Sequence, residues 1–304
     1  MLTVSTLGRG ALRQRLAGPG IHLQTGAFIT RLRSDIGHVA EGIGLLYADY
    51  PLLDQVAMAD FYVGMMHSSG LRRFARRQVN FDHDGHAPFL PLPVDQAFPM
   101  FEWAMNWCVT SRVHDCLIIH AAVIERNGLA AILPAPPGSG KSTLCAALVA
   151  RGWRLLSDEL TMVSLSDARI LPLPRPISLK NASIKVIRTF APELVFSRAV
   201  PDTNKGTVAH VKAPADSVAR ALDSARAAWI IFPQYQADAV ATLEPIAPGR
   251  AFMQVAENAF NYSLLAQAGF DALGRLIDGC RSYQFRYSQL EHAIDVFANL
   301  ERPA

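Results

Sequence analysis

Charge, cysteine and long apolar runs are all scarce in this chain. Charged residues are 18% of 304 and the net charge is only +3, without the surplus of Lys and Arg that a broad nucleic-acid face displays. Nucleic acid is therefore not an expected partner. One local exception is Leu71-Arg72-Arg73-Phe74-Ala75-Arg76-Arg77, which reads as a solvated face or an anchor for neighbouring carboxylates. The cysteines, Cys108, Cys116, Cys145 and Cys280, stand far apart with no C-x-x-C pair. That excludes a disulfide framework and reads as buried thiols in a reducing compartment. No apolar stretch approaches the roughly 18 residues of a spanning helix, and the start, Met1 to Arg15, lacks the apolar centre of a secretory signal. No membrane association and a cytoplasmic location are expected. Internal repeats and low-complexity tracts are missing as well. Hydrophobic residues at 50% predict a large core rather than extensive disorder.

What is present begins with Ala135-Pro136-Pro137-Gly138-Ser139-Gly140-Lys141-Ser142, which fits the phosphate-binding pattern G-x-x-x-x-G-K-[ST] except at its first glycine. The apolar run 129–133 leads in like a buried strand, and residues 143–150 lead out like a helix closed by Gly152. That is the context the motif needs. Small residues leave backbone N–H groups free to point inward, and the helix that follows adds its positive end. Phosphates of ATP are expected on Pro137, Gly138, Ser139, Gly140, Lys141, Ser142 and Thr143. Lys141 reaches the β and γ phosphates, and the Ser142 hydroxyl ligates Mg2+. Ala135 departs from the pattern, and Pro136-Pro137 stiffens the entry to the loop.

The length allows two units: a small α+β unit over 1–93, of unknown role, and a larger α/β unit over 94–304. In the first, short apolar pieces at 26–32, 39–47 and 78–81 predict a β-rich unit with a helix over 58–68. Residues 89–94 read as a linker, and Asp95 as the cap of a long helix through Ser111 carrying Phe98, Phe101, Trp103 and Trp107; that aromatic stripe reads as core. Strands are predicted at 116–125 and 129–133, joined as a hairpin by Asn127-Gly128. Residues 153–157 read as a strand delivering Asp158 and Glu159 to its end. Hairpin character is expected over 160–171, strands at 227–232 and 239–245, helix from Ala251 onward and a strand at 282–287.

Phosphoryl transfer needs a cradle for the nucleotide, a metal and a group that takes the proton from the attacking hydroxyl. The acids Asp158 and Glu159 follow Lys141 by only 17 and 18 residues. In extended chain they point opposite ways, one to the metal and one to the acceptor. Their mutual repulsion predicts a raised pKa for the less metal-bound one; a pair of solvated turn acids is the plainer alternative. His120 ends the apolar run 116–119, a place where a histidine is usually structural. The basic groups Arg175, Lys180 and Lys205 are candidates to neutralise phosphate or hold an acidic acceptor, ordinary surface charge being the alternative.

Three blocks carry a resemblance. They are Ile119-His120-Ala121-Ala122, the loop 138–142, and Arg151-Gly152-Trp153-Arg154-Leu155-Leu156-Ser157-Asp158-Glu159. In order they are similar to the catalytic domain of HPr kinase/phosphorylase. Residues 245–250 and 255–262 are similar to a late loop and helix of that family. The resemblance implies a P-loop NTPase-type kinase domain, a mixed sheet with flanking helices related to phosphoenolpyruvate carboxykinase. By position it implies Glu159 as the acid/base group, Asp158 beside it at the metal, His120 supporting the base and Arg250 in a loop that engages the acceptor. The family's aspartate is a glutamate here, and its E-x-R-G-L-G signature has no counterpart between Pro172 and Arg188, which argues against dephosphorylation. The expected function is an ATP-dependent, Mg2+-requiring kinase acting on a hydroxyl, a serine, of a small protein or peptide, with a homo-oligomer as the family analogy. The alternatives are a nucleotide-binding sensor or scaffold with little turnover, and a kinase of a small metabolite.

Overall fold

The computed structural model describes residues 2–54, 56–69, 76–136 and 138–302. It is a mixed α/β protein with three sheets. The first holds β1 (Ile21–Thr25), β2 (Phe28–Ser34), β3 (Phe61–His67), β4 (Gln78–His83) and β5 (Leu92–Pro93), in that order. Helices α1 (Gly8–Ala17) and α2 (Gly37–Leu46) belong to this part of the chain. The helix expected over 58–68 is strand β3 instead. Phe61, Val63 and Met65 are buried while Tyr62, Gly64 and Met66 are half-buried, a period of two that only an extended chain produces. The helical period lies earlier: Val39, Gly42, Ile43 and Leu46 of α2 are the buried residues, one face of a helix. The expected linker 89–94 contributes β5, paired with β4, and Val94 N–H donates to Arg77 O at 3.0 Å.

From there α3 (Ala97–Arg112) leads to β6 (Cys116–Arg126) and β7 (Leu129–Pro134), then α4 (Lys141–Ala150), β8 (Arg154–Ser157), β9 (Leu160–Ser164) and β10 (Ile170–Leu171). The chain continues through β11 (Ile177–Lys180), α5 (Ala182–Phe190), β12 (Val200–Thr203), β13 (Gly206–Val211), α6 (Ala215–Ala219) and β14 (Arg226–Tyr235). It closes with β15 (Thr242–Pro245), α7 (Pro248–Glu257), α8 (Tyr262–Asp278), β16 (Arg281–Tyr287) and α9 (Leu290–Ala298). Asp95 does not cap α3. Its carboxylate faces His38 at 3.3 Å and Arg198 at 3.5 Å, and the helix starts from Gln96.

The central sheet has eight strands in the order β10-β9-β6-β7-β14-β16-β15, with β8 also on β6. β6 and β7 pair antiparallel across Asn127 and Gly128, both at positive φ, the conformation that an Asn-Gly turn favours. β7, β14 and β16 are parallel neighbours. Side chains of the central strands alternate between two cores. Leu117, Ile119, Ala121 and Val123 of β6 meet Val255 of α7 and Leu273 of α8. Ile118, Ala122 and Ile124 join α4 in the larger core, which runs from Val4 through Phe101 of α3 to Phe297 of α9. The third sheet is β11-β13-β12. Among the described residues, no helix is long and apolar enough to cross a membrane.

Candidate functional site

The loop between β7 and α4 places its strain at two glycines. Gly138 and Gly140 have φ of +87° and +90°, a region costly for residues with a Cβ. Ala135 is not among the positive-φ residues and is buried, so this loop does not need a glycine there. Behind Gly140 the packing is close: an added Cβ would meet the Tyr287 hydroxyl at 2.5 Å and Tyr235 Cβ at 3.0 Å. Tyr287 O–H donates to Gly140 O at 3.1 Å, and Tyr235 N–H to Ser139 O at 2.9 Å. These contacts hold the loop's carbonyls toward β14 and β16.

The acids emerge where β6 changes partner. β8 pairs with β6 up to Ser157 and β9 pairs with it from Leu160, so Asp158 and Glu159 occupy the break. Ser157 Oγ accepts from Leu160 N–H at 3.1 Å, which closes the bend. Asp158 turns inward, where Oδ2 accepts from Ser178 N–H at 3.0 Å while Oδ1 is buried with no hydrogen-bond partner among the described residues. Glu159 turns into an open cleft, where Oε2 accepts from Asn106 Nδ2 and Oε1 lies 4.0 Å from Lys180 Nζ.

That cleft has a volume of about 840 Å³. The glycine loop forms one wall of it, with Lys141, Ser142 and Thr143. Trp103, Asn106, Trp107 and Thr110 of α3 line it too, together with His120, Glu159, Lys180, Lys205 and Phe260. His120 reaches it because it shares the strand parity of Ile118 and Ala122, the α4 side of β6; its ring lies 5.7 Å from that of Phe260. Lys205 sits in the turn from β12 to β13, its ammonium 5.0 Å from the Trp103 ring. Of the aromatic stripe expected to be core, Phe98 and Phe101 are buried, whereas Trp103 and Trp107 face the cleft.

Three lysines and two carboxylates give the site its electrostatics. Burial lowers the pKa of Lys141 against the pull of Asp158 and Glu159, and its Nζ is buried without a hydrogen-bond partner among the described residues. Burial and the neighbouring Glu159 raise Asp158 to about 6, against Lys141, the Ser178 amide and the adjacent Ser142 hydroxyl. Burial acts to raise Glu159 too, but Lys205, Lys180, Lys141 and His120 outweigh it and hold the carboxyl below its ordinary range. The expected direction is thereby reversed: the inward aspartate is raised, and the cleft-facing glutamate is the readily ionised one. Burial and Lys141 depress His120 to about 4, so the imidazole is neutral near pH 7.

The structure thus brings together Gly138, Ser139, Gly140, Lys141, Ser142, Thr143, Asp158, Glu159, His120, Lys180 and Lys205. Pro137 lies outside the described residues, as do Arg72 and Arg73 of the basic run. Arg175 and Arg250 do not line the cleft. Arg175 is buried, its Nη2 2.6 Å from Glu102 Oε2 and its Nη1 2.7 Å from Asn106 Oδ1. Arg250 is exposed on α7 and does not line the cleft. Asn106, Trp103, Ser178, Tyr235 and Tyr287 are the contributors that motif reading misses. The spacing 103, 106, 107, 110 on one helix face is the signal for the α3 group; nothing local marks the others.

Residues 96–239, slightly less than half of the chain, match the protein family described as SynChlorMet cassette protein ScmC. No curated protein matches the chain. The family match overturns the resemblance to HPr kinase/phosphorylase. The three blocks behind that resemblance are short, and a glycine-lysine loop followed by an acid pair is a solution to phosphate binding that unrelated families share. The matched span covers the loop, the acid pair, Lys180 and Lys205 but ends before Arg250. The roles that came with the resemblance therefore stand or fall on geometry.

Proposed function

We propose that this chain is an ATP-dependent, Mg2+-requiring phosphotransferase of the P-loop type, acting on a hydroxyl acceptor. One observation carries the reading. Among the described residues, the buried Lys141 ammonium, Ser139 hydroxyl and Asp158 Oδ1 have no hydrogen-bond partner around the glycine loop. Buried polar groups are normally satisfied, and each orphan costs about 1–3 kcal/mol. A polyphosphate on the loop and a cation between Ser142 and Asp158 would satisfy all three. No group of three or more His, Cys, Asp or Glu side chains is placed to hold a metal among the described residues. A hydroxyl and one carboxylate is instead a donor set suited to Mg2+, which keeps waters and phosphate oxygens as its other ligands. When bound, Mg2+ would neutralise charge on the transferred phosphoryl group.

The chain's own residues then divide the work. The loop N–H groups and the start of α4 cradle the phosphates, and Lys141 neutralises them. Glu159, ionised, takes the proton of the acceptor hydroxyl as its oxygen attacks the γ-phosphorus and the bond to the β-phosphate oxygen breaks, releasing ADP. Cations that lower the basicity of Glu159 in the free protein are engaged by phosphate once ATP arrives. His120, neutral, serves as a hydrogen-bonding neighbour. Lys180 and Lys205 flank the transferred group, and Trp103, Trp107 and Phe260 offer apolar surface to the acceptor. A serine of a small protein or peptide fits a cleft whose rim residue Phe260 is 52% exposed.

Incubation with γ-labelled ATP, Mg2+ and a serine-centred peptide mixture tests this. Lys141→Ala should lose nucleotide binding and transfer together. Glu159→Gln should retain nucleotide binding and lose at least about 10²-fold in transfer, the usual share of a general base. Transfer that survives both substitutions would end the reading.

A further inference from the structure

Asn106 and Arg175 have no place in the phosphate loop, yet they form an unbroken hydrogen-bonded chain that runs from the buried Glu102 to Glu159 at the cleft. Tyr47 O–H, just past the end of α2, donates to Glu102 Oε1 at 2.8 Å. Arg175 Nη2 donates to Glu102 Oε2 at 2.6 Å and to the Glu102 carbonyl at 2.8 Å. Arg175 Nη1 donates to Asn106 Oδ1 at 2.7 Å, and Asn106 Nδ2 donates to Glu159 Oε2. The direction of every bond is forced. A guanidinium has donors only, so it must meet the amide oxygen of Asn106. The amide NH2 is then turned to Glu159, where an ionised carboxylate can only accept.

We infer that Asn106 is a positioning residue for the base: it clamps Oε2 of Glu159 so that Oε1 alone is presented to the cleft, and Arg175, oriented by Glu102 and Tyr47, sets the amide. This rests on the reading of Glu159 as the base. The burial of Arg175 and Glu102, 7% and 4% exposed, makes the clamp rigid, since neither partner has water as an alternative. Glu159 needs such a support. It sits in a bend rather than in a strand, and its other contact, Lys180, is 4.0 Å away, too far to fix a rotamer by hydrogen bonding. The clamp also couples the first sheet's layer to the site, because Tyr47 closes α2.

Asn106→Asp is the informative variant. It keeps an acceptor for Arg175 and replaces the donor to Glu159 with a second carboxylate. Misplacement of a catalytic group by about 1 Å can cost on the order of 10²-fold. Asn106→Asp and Asn106→Ala should therefore lower turnover of γ-labelled ATP with the serine peptide mixture 10- to 100-fold. Affinity for a fluorescent ATP analogue with Mg2+ should stay within about 3-fold, because neither variant touches the loop. A melting-temperature cycle tests the contact without turnover. Asn106→Asp should lower the melting temperature, and adding Glu159→Gln should recover most of the loss by restoring a donor–acceptor pair. Wild-type turnover in Asn106→Asp, or equal losses in nucleotide affinity and turnover, overturns the positioning role. So does strict additivity in the melting cycle. A wild-type protein that binds nucleotide without any transfer removes the kinase reading instead, while the cycle still decides the contact.

Discussion

Gly140 shows how one residue can be required twice. Its φ of +90° is strained for any residue with a side chain, and a Cβ would also meet the Tyr287 hydroxyl at 2.5 Å. Gly138 has nearly the same φ but nothing within 4 Å of an added Cβ. The two glycines should thus separate strain from collision. Gly138→Ala is expected to cost about 1–3 kcal/mol through φ alone, with nucleotide binding weakened but present. Gly140→Ala must in addition displace Tyr287 or the loop, and nucleotide binding should be lost. Calorimetric titration with ATP and Mg2+ on both variants checks this; equal affinities would contradict the role given to Tyr287. The same scale explains the acid pair. Adjacent carboxylates differ because one turns into the protein and the other toward three lysines, which no property of Asp or Glu as such foretells.

Among elements, the turn between β12 and β13 is built to present Lys205. Thr203 Oγ1 donates to Gly206 O at 2.6 Å and accepts from Lys205 N–H at 3.1 Å. Asn181, which starts α5 at φ +52°, accepts from Thr207 N–H at 3.0 Å. Gly206 at φ +79° leaves no room for a Cβ, which would fall 2.3 Å from Asn181 Oδ1. Gly206→Ala should therefore break the junction that holds Lys180 and Lys205 near Glu159. The expected result is a transfer rate lowered by about 10-fold or more, the scale of a misplaced charge, with ATP affinity changed far less because Lys141 stays in place. Rates and affinities measured on the same preparation check it, and a loss confined to ATP affinity would contradict it. Helix α3 works in a similar way: one face fills the core with Phe98 and Phe101, and the residues at 103, 106, 107 and 110 line the cleft.

Acid should act on the molecule as a whole through the half-buried His120 and the buried His210. His120 is depressed to about 4 by burial and Lys141, with Lys180 and Lys205 adding to the effect and Glu159 opposing it. His210 is lowered too, by burial, with Glu102 and Glu159 opposing and Arg175 and Lys180 adding. Each binds its proton more weakly folded than unfolded, so its contribution is complete above the ordinary value of about 6.5 and declines as pH falls below it, for His120 down to about 4. Asp158, raised to about 6, works the other way, being relieved as it protonates. The difference between wild type and His120→Asn isolates one group. The variant should lose less melting temperature than wild type between pH 7.5 and 4.5, and a larger loss in the variant would refute the assignment.

Local sequence determined the glycine loop, the strand before it, the helix after it, the Asn127-Gly128 hairpin and the acid pair at the end of β8. All are set by short-range preferences: small residues where N–H groups must point inward, positive φ at Asn-Gly, and apolar runs long enough for a strand. Period decides as well: the apolar run within 58–68 alternates buried and half-buried from Phe61 to Met66, and so forms strand β3 in place of the expected helix. Tertiary structure alone decided which charges meet. Arg175 reads as a free basic group beside prolines but is consumed by Glu102 of α3, and Asn106 carries no motif yet reaches Glu159, 53 residues away. Partners that distant are chosen by how sheets and helices pack, and the cost of burying an unpaired charge then forces the pairing that packing allows.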